Sequence, residues 1–490
     1  MNLSPIARGI ALTAGLLVTL PLLAHAQLGR SLSLEQAMES AMPASEALEL
    51  AKAAVFRARG EQYRANADRY PQLSASLGYN RLLASQFEGI DFGGGTSGDS
   101  GSDGGQLPFG RANTYNLGVS LSQTLFAGGR IAGQTASADA GHRSAALGVT
   151  AAEAQLTLDV VSAYYDAVLA DQQLSIAQAT LAQADSTVRQ AAQRQAVGAE
   201  AEFEVLRARV TRNNQNTSVI LRRNEREVAY LRLQQLLGLP ADDPIILTTT
   251  LGGATLADPP IIASVVASPT DTAAESRIAV RQAAEAVRVQ EGVLKVAKAQ
   301  RIPSLVLTSQ YGKVGYPDNY NPTAADYATN WNMALGVQVP IFTGGRTRGD
   351  KVVAQAALRE AELRLAQTTK LARLDNRTAF SALEAATAAW EASQGTVEEA
   401  ERAYRIAELR YREGLSTQTE LVDSRIGWQT AEISRVQAAR ELQVARVRVA
   451  LISDLPLNTG TPATTATRPT AQAPARQSTA PQTQIPGITP

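Results

Sequence analysis

The chain repeats itself. Residues 125–130 read LFAGGR and residues 341–346 read IFTGGR, about 216 residues further on. The same offset places Ala163 on Ala379, Tyr164 on Phe380, Gly198 on Gly414, Glu204 on Glu420 and Arg209 on Arg425. Upstream, Pro71 falls on Pro303 at a larger offset, because the segment between the strands is longer in the first copy. A gapless offset over some eighty residues marks an internal duplication. Each half has the order helix, strand, loop, strand, F-x-G-G-R, very long helix, short break, second long helix.

The segments before each F-x-G-G-R alternate with period two. Leu73, Ala75, Leu77 and Tyr79 alternate with Gln72, Ser74, Ser76, Gly78 and Asn80, and Tyr115, Leu117, Val119 and Leu121 with Asn116, Gly118, Ser120 and Ser122. The second copy gives Leu305, Leu307 and Tyr311, then Trp331, Met333, Leu335, Val337 and Val339. A half-buried soluble sheet has this pattern, and so does a barrel with lipid outside and water inside. The strand lengths and the aromatics at strand ends (Tyr70, Tyr79, Phe87, Tyr115, Phe126, Tyr311, Trp331, Phe342) favour the barrel. The loop carrying Asp91, Asp99 and Asp103 is rich in Gly and Ser and reads as solvated. A calcium loop is the sharper alternative, but the spacing fits no EF-hand.

No Pro occurs between Gly129 and Pro240, or between Gly345 and Pro456. A three–four repeat runs through Val160, Ala163, Ala167, Ala170, Leu174, Ala177, Leu181, Ala184, Val188 and Ala191. Its twin runs from Asn376 and Ala379 to Ala407 and Tyr411. Each rod of roughly 100 Å has no core of its own and must pack sideways on other helices. The Gly pairs Gly128–Gly129 and Gly344–Gly345 mark the corner where strand becomes helix, with Phe126 and Phe342 at a bilayer boundary.

The N-terminal 26 residues carry one Arg, an apolar run and Ala24-His25-Ala26, the form of a cleaved secretory signal. No later segment has the length and apolarity of a spanning helix, so a membrane crossing must use strands. With no Cys there is no material for disulfides or thiolate chemistry; with two His, His25 in the expected signal and His142, there is almost none for His-based metal or acid–base chemistry, and no nucleophile–base cluster for an enzyme. Zero net charge gives no sign of nucleic acid, and no cofactor is expected. Four strands cannot close a barrel, and lipid does not tolerate open edges, so the barrel must be shared between identical chains.

Taken together, the duplication, the two F-x-G-G-R corners and the helix breaks RQAVGAEAEFEVLRAR and RYREGLSTQTELVDSR resemble the TolC-type outer-membrane efflux and secretion channels. The resemblance implies an α+β membrane protein. Three chains would form a homotrimer with a 12-stranded transmembrane β-barrel, four strands per chain, in outer-membrane lipid. A periplasmic α-helical barrel would continue it inward. The expected division is signal peptide 1–26; first repeat 27–239, with hairpin 72–126 and long helices 129–238; equatorial linker 240–271; second repeat 272–455, with hairpin 303–343 and long helices 345–453; and a disordered, Pro-rich tail 456–490.

Such a channel does no chemistry. It would be the exit duct of a tripartite efflux pump or a type I secretion system, working with a periplasmic adaptor and an inner-membrane transporter. The resemblance makes Glu420 and Asp423 the periplasmic constriction, although taken alone an i, i+3 acidic pair is also an ordinary solvated helix face. It makes Tyr411 and Glu204 a latch, and Gly198 and Gly414 the turns at the helix tips. Ser416 stands where relatives carry an Arg tied to the acidic partner; Arg207, Arg209 or Arg412 could replace it. The alternative from another class is an exported trimeric coiled-coil structural protein or adhesin.

Overall fold

The computed structural model describes residues 30–84, 113–251, 253, 256–259, 274–317 and 323–457. The expected signal peptide, the loop with Asp91, Asp99 and Asp103, Phe87, most of the second half of the linker and nearly all of the tail lie outside the described residues. In chain order the main elements are β1 (Arg30–Leu32), α1 (Leu34–Ala44), α2 (Glu46–Ala67), β2 (Gln72–Arg81), β3 (Asn113–Phe126), α3 (Arg130–Ala196), α4 (Glu202–Leu237) and β4 (Ile245–Leu247). They continue with α5 (Ile278–Ala299), β5 (Ser304–Gly315), β6 (Tyr327–Gln338), α6 (Arg346–Arg412) and α7 (Gln418–Ala450). Among the described residues no helix is long and apolar enough to cross a membrane.

The four long strands form one antiparallel sheet in the order β2-β3-β5-β6. Register decides its faces. Leu73 pairs with Leu121 and Tyr79 with Tyr115, Val119 pairs with Tyr311, and Tyr311 with Trp331. The apolar sets of both copies therefore share one face, and the Ser, Asn, Gln, Gly and Thr sets share the other; a one-residue slip would exchange them. Trp331, Met333, Leu335 and Val337 are 73, 69, 61 and 65 % exposed, so a single chain leaves the apolar face uncovered. Near the loop end, Tyr79, Tyr115 and Tyr327 share a row with Gly315, where the Tyr327 ring lies 3.0 Å from the position a Cβ would take. From that row to Phe126, at about 3.3 Å per residue and about 45° tilt, the height is roughly 25 Å, the apolar band of an outer-membrane barrel.

Both corners turn on positive φ: 60° and 92° at Gly128 and Gly129, 60° and 84° at Gly344 and Gly345. A side chain is strained in that region, and the second Gly of each pair starts the long helix without a side-chain cap. The two copies differ just before the corner. β3 continues to Phe126 through a bulge after Thr124, whereas β6 ends at Gln338, short of the expected limit at 343. Pro340 occupies the position of Thr124; it has no N–H for a ladder, and among the described residues no strand flanks β6 on that side.

The long helices α3 and α6 have 67 residues each. α3 packs on α2 and α5 toward the sheet, and on α4 and α7 farther from it; α6 packs on α5 and α7. The small seam residues Ala163, Ala167, Ala177, Ala184 and Ala191 are buried, while Leu174, Leu181 and Val188 are half-buried, so close approach of helices rather than bulk fills the rods. The main core lies at mid-length, where Val160, Val161, Tyr164, Trp390, Leu442 and Val447 meet Leu32 and Ile245.

There β1 pairs with β4 in parallel, and the Tyr164 hydroxyl donates to the Leu32 carbonyl at 3.1 Å. These three-residue strands have no periodicity to read, and the linker reading gave no sign of them. Beside them Arg277, fully buried, donates to Asn376 Oδ1 at 2.7 Å, Asp375 Oδ2 at 2.8 Å and the Leu455 carbonyl at 3.3 Å. It ties the start of α5 to the middle of α6 and the end of α7. Arg277→Ala should destabilise the fold by about 3 kcal/mol, because it removes the buried donor shared by Asn376, Asp375 and the Leu455 carbonyl. Thermal unfolding in detergent measures this; an unchanged midpoint would show that the buried guanidinium holds nothing.

Candidate functional site

At the end far from the sheet, α3 turns into α4 and α6 into α7. The turns are built alike. Gly198 (φ 74°) and Gly414 (φ 72°) follow the long helices, and the next amides bond back, Ala199 to Arg194 O at 2.9 Å and Leu415 to Arg410 O at 2.8 Å. α7 then starts at Thr417, whose side chain accepts from the Glu420 amide at 3.3 Å. This cap puts Glu420 in the first turn and Asp423 one turn on, along the same side. Asp423 is exposed. Glu420 is partly offset by Arg410, whose Nη1 lies 3.3 Å from its carboxylate.

The two turns are joined by polar contacts across α3–α4 and α6–α7. The Tyr411 hydroxyl donates to Glu200 Oε1 at 3.2 Å. This corrects the expected pairing with Glu204. Glu204 lies one helical turn farther on, and with the Gln418 amide turned to satisfy both groups, its nitrogen donates to Glu204 Oε2 at 2.6 Å. Both carboxylates therefore bridge the halves, through different partners.

The cation at the latch also differs from expectation. Arg412 bonds Glu408 of its own helix at 2.8 Å. Arg194 lies 4.9 Å from the centre of the Tyr411 ring and donates to the carbonyls of Tyr411 (3.2 Å) and Arg412 (3.0 Å). Sequence reasoning missed both Arg194 and Glu200. The duplication held the signal: Arg194 is the twin of Arg410, and Glu200 the twin of Ser416. The Ser416 hydroxyl oxygen is buried and makes no hydrogen bond.

Behind the latch, Tyr404 stacks on Trp428 at 5.2 Å, and Leu421 and Tyr411 close the cluster. Arg425, buried, donates to Thr187 Oγ1 at 3.1 Å. Gln183 donates to the Tyr404 hydroxyl and, at 3.1 Å, to Glu408. Among the described residues no group of His, Cys, Asp and Glu could hold a metal ion. The arrangement holds two helix pairs together through a handful of bonds, each worth about 1 kcal/mol net, with up to roughly 2 from the Arg194–Tyr411 stack.

Burial, and then the neighbouring Glu200 carboxylate, push the Tyr411 phenol up to about 12. The folded tip keeps this proton to higher pH than an unfolded chain does. Its contribution is therefore complete below about pH 10 and is lost as pH rises toward 12.

The family model described as outer membrane efflux protein matches residues 38–239 and 270–453. The pyoverdine export outer membrane protein OpmQ of Pseudomonas putida is 28 % identical over 309 residues, 61 % of this chain and 62 % of that protein. The outer membrane efflux protein BepC of Brucella suis is 25 % identical over 334 residues, 68 % and 70 % of the two chains. The crystal structure of the Campylobacter jejuni CmeC outer membrane channel superposes with a TM-score of 0.71 at 18 % identity, covering 87 % of each chain.

Cleavage at the 197–201 and 413–417 turns by an alkali-tolerant protease should be constant below pH 10 and increase between about pH 10 and 12. Tyr411→Phe should show severalfold faster cleavage below pH 10, about 1 kcal/mol of tip stability, and should lose the alkaline step. A step that survives in Tyr411→Phe would assign it to another group.

Proposed function

Because the chain belongs to the outer membrane efflux protein family, we propose that three copies form a duct from periplasm to exterior. Each copy contributes four strands to a 12-stranded barrel and its long helices to a periplasmic tube. The observation that carries this reading is the sheet itself: its apolar residues lie on one face, its two outer strands have no second neighbour among the described residues, and 67-residue helices leave it at both corners. In an all-antiparallel order, β6 of one chain meets β2 of the next antiparallel, so three chains close without a misfit. The protein is passive. A periplasmic adaptor seats on the exposed turns around Gly198 and Gly414, and an inner-membrane transporter supplies the energy.

The tip closes the duct. Tyr411–Glu200, Gln418–Glu204 and the Arg194 contacts hold the two helix pairs together, and a threefold array of Glu420 and Asp423 makes the entrance acidic. Since Arg410 offsets Glu420, Asp423 is the stronger source of negative field. The cargo is small molecules. The relatives' names, pyoverdine export and efflux, support this over protein secretion.

Purified protein in a planar bilayer should give cation-selective steps. Asp423→Asn should reduce the selectivity more than Glu420→Gln, and Arg194→Ala should raise the open fraction severalfold. Protein that inserts no conducting unit would favour the structural or adhesin reading. A deletion strain should become more sensitive to small toxic compounds or lose an exported small molecule; unchanged small-molecule export with a missing secreted protein would assign it to secretion instead.

A further inference from the structure

Among the described residues two arginines are buried, Arg277 and Arg425. Their surroundings differ. Arg277 has the Asp375 carboxylate at 2.8 Å and two further acceptors. Arg425, on α7 behind the latch, is 5 % exposed and forms no ion pair among the described residues. Its contacts are Thr187 Oγ1 at 3.1 Å and Tyr404, whose ring centre lies 5.9 Å from the guanidinium carbon. Its Nε is buried and meets no acceptor. A guanidinium does not give up its proton in a protein, so burial cannot neutralise it. A charge in such a place needs a counter-charge.

The acids of α6 on this stretch are engaged elsewhere. Glu408 accepts from Gln183 at 3.1 Å and from Arg412 at 2.8 Å. Glu401 accepts from Arg405 of its own helix. The first copy solves the same place with an ion pair. Arg212 donates to Asp185 at 2.8 Å, and the twins of these two residues are Trp428 and Glu401. In the second copy an indole stands where that arginine was, and the buried cation is Arg425, whose twin Arg209 is exposed.

Trp428 brings a second, independent observation. Its indole Nε1 is buried and meets no acceptor. Arg425 and Trp428 stand at i and i+3 on α7, so they share one side of that helix. Both lie against Tyr404, with Trp428 stacked on its ring at 5.2 Å between centroids. Two buried N–H groups without an acceptor and one uncompensated positive charge therefore gather around one side chain.

We propose that Arg425 and Trp428 hold a small monovalent anion, a halide, behind the latch. A halide suits these donors. It is spherical, accepts N–H groups from any side, and sets one negative charge against one guanidinium. A sulfate or phosphate brings more charge and more oxygen atoms than two N–H groups can satisfy. The ion compensates the cation where Arg425 of α7 reaches Thr187 of α3, and so strengthens the contact between the two helix pairs. Binding rests on these side chains alone, whereas the ion's part in closing the duct rests on the proposed function. A ligand that binds the closed tip and not the open one stabilises it by mass action.

The chain has three Trp, so Trp331→Phe with Trp390→Phe leaves Trp428 as the only indole. In the full chain in detergent, iodide replacing gluconate at constant ionic strength should quench Trp428 with a saturable component, and chloride should reverse it. Arg425→Met in the same background should show only linear, collisional quenching. In the chain with all its Trp, cleavage at the 197–201 and 413–417 turns should be severalfold slower in chloride than in gluconate. In Arg425→Met it should be equal in both. If the double Trp variant does not fold, this cleavage comparison decides alone. Saturable quenching that survives Arg425→Met, or a chloride effect on cleavage that survives it, would overturn the site, as would no halide effect on either readout. Arg425-dependent quenching without any change in cleavage would keep the site and overturn its hold on the tip. Protein that binds iodide in this way but inserts no conducting unit would leave the site standing and overturn the duct.

Discussion

A β-strand inside hydrocarbon has no water to satisfy its backbone. β2 and β6 have 10 and 12 residues, and among the described residues each has a neighbour on one side only. About half of the N–H and C=O groups along each strand point to the open side. At several kcal/mol for every unsatisfied group, leaving both edges in lipid would cost tens of kcal/mol, more than the stability of a typical domain. The rest of the architecture answers to that cost. The sheet is antiparallel with an even number of strands, so identical copies can close it, and the helices leave from one side, so closing the sheet also gathers the rods.

The rods bring a second constraint of the same kind. A helix of about 100 Å cannot bury itself, and small residues along α3 and α6 let neighbours approach instead. The chain concentrates its large side chains at mid-length, where β1 and β4, Tyr164 and Arg277 bind the two halves. The large core at mid-length and the few polar contacts at the tips make the tips the less tightly held end. Low-stability regions of this kind are where a partner's binding energy can shift an equilibrium of a few kcal/mol.

Strands, corners and rods were legible because each rests on periodicity or on glycine, which sequence displays directly. What stayed hidden was three-dimensional pairing. Arg277 reads as an ordinary surface arginine, yet it is fully buried because Asn376, Asp375 and the Leu455 carbonyl converge on it. Glu200 and Glu204 stand four residues apart, one helical turn, and composition cannot choose between them. The left-handed Gly198 ends α3 just before Glu200, so that carboxylate lies in the turn, within reach of Tyr411, while Glu204 lies in the first turn of α4 and meets Gln418. The shorter β6 escaped for a similar reason. Pro340 was visible, but its consequence depends on whether a strand lies alongside.

The latch also explains why a duplicated chain must diverge at one end. Two identical turns offer the same groups to each other, donor to donor and carboxylate to carboxylate. A closing bond needs unlike groups, and this is where the copies differ. Tyr411 faces Glu200, whereas their twins are Gln195 and Ser416. The retained arginines are put to different uses: Arg410 turns to Glu420 beside it, and Arg194 crosses to the Tyr411 ring and the last carbonyls of α6. Along the sheet and the upper helices, the opposite pressure acts. There the two copies stay alike, and Gly133 and Gly292, whose backbones approach closely, have the glycine twins Gly349 and Gly60. In the proposed duct, the halves stay alike where identical chains would close the wall and differ where the tip would close.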